Sequence, residues 1–320
     1  MISRLLAVLL IALASAAPVR AADALRLAVQ ATGTTAWELA VVSAFNLDRE
    51  AGLELKVSEL ASTEAGRIAL VSGGADIIVS DWLFVARERA LGGKLVFYPV
   101  STAIGAVMTK APEIKSVADL SGKRLGVAGG ALDKSWLLLR AYALKKGVDL
   151  EKTATIVYGA PPLLAAKAEQ GELDAVLEFW NFALELEAKG FRAAIDMREI
   201  EKELGAKAAP VVTGYVFEEA FAAGHKQTLS RFFAMMKKAR ALIAANDDAW
   251  RVAAARIPTK DKVALDLYRK HYVEGAPTGP LAAQEADAAT LYQTLEKLGG
   301  EKLVGTAKTL DPKTFYRDEP

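Results

Sequence analysis

The chain has no cysteine and only two histidines, His225 and His271, in 320 residues. Without thiols there is neither a disulfide framework nor an N-terminal cysteine for a lipid anchor. The residues that dominate zinc sites and Ser-His or Cys-His triads are nearly missing too, so no metal, no cofactor and no catalytic residue is expected. An excess of charge of one sign is also lacking. Lys and Arg total 40 against 39 Asp and Glu, a formal net charge of +1, which offers no footprint for nucleic acid or an anionic membrane. The apolar run from Leu5 to Ala17 is too short for a comfortable membrane span. Preceded by Arg4 and followed by Val19-Arg20-Ala21, it reads as a secretory signal peptide over residues 1–22. The mature chain is therefore expected to be soluble in the periplasm, with about 300 residues, enough for two domains.

What is present is an alternation of two periods. Leu25, Leu27 and Val29 alternate with polar or small residues as a strand does. Trp37, Ala40, Val41, Ala44 and Phe45 then recur at helical spacing and stop before Gly52. Strands are predicted at 53–57, 77–79, 94–100, 124–128, 155–158, 175–177, 191–195 and 211–217. Helices are predicted at 63–71, 134–146 and 180–188, with another opening at Pro161. Such alternation argues for parallel sheets covered by helices. From Gln227 onward the pattern is helical: 227–245, 248–257, 260–271 and 285–298. The Met235-Met236 pair reads as core packing, and His225 and His271 as capping or surface residues.

Open parallel sheets bind ligands at the carboxyl ends of their strands, and there the sequence repeats itself. Trp37 stands beside Glu38, Trp82 beside Asp81, Trp136 near Asp133, and Trp180 near Glu178, so four of the five tryptophans adjoin a carboxylate in a strand-to-helix connection. An indole stacks on a flat or cationic group and a carboxylate takes its N–H donors, a pocket suited to an amine or aminated heteroaromatic solute. The plainer alternative is that each Trp anchors its helix and each acid caps one. Val127 to Ser135 superficially looks like a phosphate loop, but Ala128 and Asp133 stand where glycines are required. Its helix start, with Lys134, could still hold a small anion. Pairing Glu38, Asp81 and Glu178 as general acid and base of a hydrolase is a minor alternative.

LRLAVQATGTTAW, RIALVSGGADIIVSDWL, IKSVADLSGKRLGVAGGALDKSWLLLRAYALKKGVDL and LLAAKAEQGELDAVLEFWNFALELEAKG together resemble the periplasmic substrate-binding proteins of nitrate/sulfonate/taurine-type ABC importers. The resemblance spans nearly the whole mature chain, and SVADLSGKRLGVAGG and QGELDAVLEF are its most specific parts. It implies an α/β fold of two lobes (type II) joined by two crossing hinge strands, with lobe one at 23–108 plus 211–320, lobe two at 109–210, and the helical C-terminal section packed on lobe one. It implies a monomer that captures a small-molecule ligand by hinge closure and delivers it to an inner-membrane ABC permease with a cytoplasmic ATPase. Ligand contacts carried over by the resemblance are Gln30 and Trp37 after the first strand, Ser80, Asp81 and Trp82, Gly130, Asp133 and Trp136, and Glu178, Trp180 and Asn181, with Tyr215 on the returning strand. Ala131 replaces the Ser frequent after the second glycine, and Trp180-Asn181 replaces a frequent Glu-Pro. These departures point away from nitrate or sulfonate and toward an amine-bearing or heteroaromatic solute. A small-anion binder, a periplasmic sensor or accessory, and an enzyme on the same scaffold are the alternatives.

Overall fold

The computed structural model describes residues 22–318; the signal peptide expected from the sequence lies, up to residue 21, outside the described residues. Ten strands form two five-stranded sheets. The first holds β1 (Asp23–Gln30), β2 (Leu53–Leu60), β3 (Ile77–Ser80), β4 (Leu95–Ser101) and β10 (Thr213–Glu218) in the order β2-β1-β3-β10-β4. The second holds β5 (Ala106–Thr109), β6 (Arg124–Ala128), β7 (Thr155–Gly159), β8 (Ala175–Glu178) and β9 (Arg192–Asp196) in the order β7-β6-β8-β5-β9. In each sheet the first three strands are parallel, and one strand arriving from the other sheet runs antiparallel between its neighbours: β10 between β3 and β4, β5 between β8 and β9. The chain thus crosses between lobes after β4 and again before β10.

The helices that matter for the site are α1 (Thr34–Ala44), α2 (Thr63–Val71), α3 (Trp82–Ala90), α4 (Lys134–Lys145), α5 (Pro161–Glu169), α6 (Trp180–Ala188) and α7 (Met197–Glu203). Four more follow β10: α8 (Lys226–Ala245), α9 (Asp247–Ala254), α10 (Lys262–Glu274) and α11 (Leu281–Gly299). The apolar face of α8, including Phe232 and Met236, shares one core with Leu25, Val41 and Tyr215. Helices α8 and α9 therefore cover α1 on lobe one, as the amphipathic spacing of α8 demands. The last long helix departs from the sequence expectation, because α11 packs on α4 of the second lobe. Its buried Gln284 and Asp287 accept hydrogen bonds from the backbone of the returning crossover, at Val211, Lys207 and Ala208. After Gly300 the chain goes back to lobe one, where Phe315 bridges to Phe97 beside β4.

Glycine is required at the first crossover. A Cβ on Gly105 would stand 1.6 Å from the carbonyl oxygen of Glu178, so only a bare backbone passes β8 here. Among the described residues, no helix is long and apolar enough to cross a membrane.

Candidate functional site

Between the sheets, at the carboxyl ends of their parallel strands, lies a cleft of about 870 Å³ including its open mouth. Four helices begin on its wall, two from each lobe: Thr34 and Thr35 start α1, Thr63 starts α2, Lys134 and Ser135 start α4, and Trp180 and Asn181 start α6. Each helix start presents backbone N–H groups without intrahelical partners and the positive end of the helix dipole. For α1 and α6 no side chain caps those groups. Ser62 caps α2 through the N–H of Ala65 at 3.2 Å, and Asp133 caps α4 through the N–H of Ser135 at 2.8 Å. Ser80 and Thr213 add hydroxyls to the wall, Ser101 lines it with its hydroxyl donated to the Gly275 carbonyl at 3.2 Å, and Lys134 is a cation on it. Its Nζ lies 3.7 Å from Asp133 and 4.8 Å above the ring centre of Phe179, which also lines the cleft.

Of the twelve residues expected from the sequence, Gln30, Ser80, Asp81, Trp180 and Asn181 line the cleft. The structure does not bring the other seven onto its wall. Trp82 and Trp136 are turned inward, 2% and 0% exposed, as core residues. Trp37 is 3% exposed and meets Trp180 edge-on, ring centres 5.9 Å apart. Tyr215 is buried and donates to Glu38 at 3.3 Å. Asp133 sits behind Lys134 as a cap. Gly130, at φ 97, faces the carboxylate of Glu64, which a Cβ there would meet at 3.3 Å. Glu178 is wholly buried, with no hydrogen bond to either carboxylate oxygen. Burial pushes its pKa well above the ordinary carboxylate value.

The acidic, tryptophan-rich box expected from the sequence is therefore not what the cleft presents. Asp81 is spent twice, accepting from the N–H of Phe84 at 2.8 Å to cap α3 and from Arg67 at 2.7 Å. Arg67 also donates to Ser80 at 3.1 Å, so a buried ion pair holds the end of β3 against α2. Glu38, also buried, takes hydrogen bonds from Tyr272 at 2.7 Å and from Tyr215, with Arg240 4.0 Å away. Burial raises its pKa, while Arg240 and the two tyrosines act against the rise.

Ser62, Thr63, Ser101 and Thr213, also on the wall, were not expected from the sequence. A usable signal was present for one pair: Ser62-Thr63 closes a strand and opens a helix, the same position that singled out Ser80-Asp81.

A two-lobed α/β architecture of the periplasmic-binding-protein type, with a donor-lined interlobe cleft, is the class that fold and site define. The NMT1/THI5-like family model matches residues 49–249, more than half of the chain, and the chain belongs to that family. Among solved structures, the periplasmic aliphatic sulphonate binding protein SsuA from Escherichia coli is similar at 20% identity, covering 92% of each chain with a TM-score of 0.70. The alkanesulfonate-binding protein SsuA from Xanthomonas axonopodis pv. citri, bound to MOPS, is similar at 17% identity over 92% of this chain and 98% of that one, with a TM-score of 0.71. The desulfurization enzyme DSZB is similar at 15% identity over 88% of this chain and 96% of that one, with a TM-score of 0.55. At these identities the likeness concerns the fold. No curated protein matches the chain in sequence.

Proposed function

We propose that the chain is the periplasmic solute-binding component of an ABC import system and that its solute is a small organic oxyanion, with a sulfonate as the model. The two lobes enclose the solute, and the closed form is handed to a membrane permease driven by a cytoplasmic ATPase. The observation that carries this reading is the convergence of four helix starts and Lys134 on one cleft whose carboxylate, Asp81, is already committed to Arg67 and to the cap of α3. N–H groups at helix starts, hydroxyls and an ammonium stabilise negative charge and give a cationic amine nothing to pair with. Phe179 and Trp180 supply an apolar flank for the carbon skeleton of such a solute. This reading prefers the small-anion alternative to the amine or heteroaromatic one, because the carboxylates that motivated the latter serve the fold. The binding role is likewise preferred to that of an enzyme, since the cleft wall pairs no nucleophile with a base.

A panel of alkanesulfonates, sulfate, nitrate, bicarbonate, amines and aminopyrimidines tests the proposal by thermal melting and calorimetry. A solute at 100 times its Kd adds about 2.7 kcal/mol and should raise the melt by a few degrees. Stabilisation by sulfonates, weakened at least about tenfold in Lys134→Ala by loss of a charge-assisted contact, is expected. Stabilisation by amines alone would overturn it.

A further inference from the structure

Helix α10 belongs to lobe one, yet it touches lobe two away from the cleft wall. Only one of its residues is buried, Tyr268. The Tyr268 hydroxyl donates to the backbone oxygen of Asn181 at 2.8 Å, in the first turn of α6 on lobe two. Asn181 in turn donates from Nδ2 to the carbonyl of Thr32 at 3.2 Å, in the turn between β1 and α1 on lobe one. Around this link the rings close up: Tyr268 lies 6.1 Å from Trp37 and 6.2 Å from Trp180, and the two indoles meet edge to face. Tyr272, one turn further along α10, ties the helix to lobe one through Glu38.

Each link from Tyr268 or Thr32 to Asn181 joins one lobe to the other, and none passes through a solute. Tyr268 does not line the cleft, whereas Trp180 and Asn181, which it holds, do. We propose that Tyr268 is a positioning residue, the pin of a protein-only latch that keeps the lobes together at this end of the cleft before any solute arrives. An empty chain that is already closed in most molecules presents Trp180 and Asn181 in their binding positions. Apparent affinity then loses little to the cost of closure, because it scales with the fraction of molecules already competent. Removing one neutral hydrogen bond shifts such an equilibrium by about fivefold.

The test uses the purified chain, stripped of carried-over solute by unfolding and refolding, and compares it with Tyr268→Phe, which keeps the ring packing and removes only the hydroxyl. Small-angle scattering without solute should show a compact wild type and an expanded variant. A saturating alkanesulfonate should then contract the variant and leave the wild type unchanged, with Kd weaker in the variant by less than about threefold, the most that a fivefold shift can take from a population already mostly closed. A wild type that is expanded when empty, or a variant as compact as the wild type, overturns the latch. A melting temperature measured alongside separates an opened variant from an unfolded one. The solute-free comparison does not depend on ligand class: if sulfonates fail to bind but the two empty proteins differ in shape, the latch stands and the proposed solute falls. Only the affinity arm rests on that proposal.

Discussion

Glu201 on α7 should make the protein less stable as pH rises through the neutral range. Its side chain is wholly buried and neither carboxylate oxygen has a hydrogen bond. Arg198 is its ion-pair neighbour at 3.5 Å, too long to offset desolvation. Burial therefore raises the Glu201 pKa to about 8, with Arg198 and Lys134 opposing the rise and Asp196 adding to it. In the unfolded chain a glutamate titrates at about 4.3. Between those values the folded protein keeps a proton that the unfolded chain has released, so stability falls by about 1.4 kcal/mol per pH unit. The contribution is present in full below the unfolded value and gone once pH passes the folded one, a total of up to about 5 kcal/mol. Glu201→Gln keeps the shape and has no proton to lose. Urea unfolding followed by circular dichroism at several pH values from 5 to 8 should show wild type losing ground steadily against the variant. Comparing the two proteins cancels the pH dependence of every other group. A stability difference that stays constant across that range would refute the neutral buried glutamate.

Two further outcomes follow from the packing. Asp81→Ala removes the cap of α3 and leaves the Arg67 guanidinium buried without its carboxylate, so chemical denaturation should register a loss of about 3–5 kcal/mol. Unchanged stability together with lost solute binding would return Asp81 to the role of a ligand contact. Gly105→Ala places a methyl group 1.6 Å from the Glu178 carbonyl oxygen, and a loss of about 3 kcal/mol or failure to accumulate as folded protein is expected; an alanine variant that melts like wild type would mean that the crossover strand yields.

Most of the architecture was legible locally. Strand β6 occupies the predicted residues, Arg124–Ala128, because apolar residues between turn signals select extended backbone without reference to the rest of the chain. Glycines at 52, 147, 171 and 190 end elements because all four adopt positive φ. The position of the cleft at strand-to-helix connections was legible for the same reason, since the alternation of strands and helices implies which ends of the strands collect there. Strand β5 escaped: four residues, Ala106 to Thr109, all buried, show no alternation, and only the gap between β8 and β9 makes them a strand.

What only the tertiary structure decided is where each side chain at those connections points and what it pairs with. The sequence set a carboxylate beside an indole at the end of β3, but Arg67, fourteen residues upstream, claims the carboxylate, and the core claims Trp82. Likewise the helical period of α11 is local, yet its packing on α4 depends on a surface supplied by the other lobe. Backbone dihedrals and hydrophobic period are local quantities that a short window contains. The partner of a buried charge is not local, since desolvation forces it to pair with whatever donor folding brings within hydrogen-bond reach.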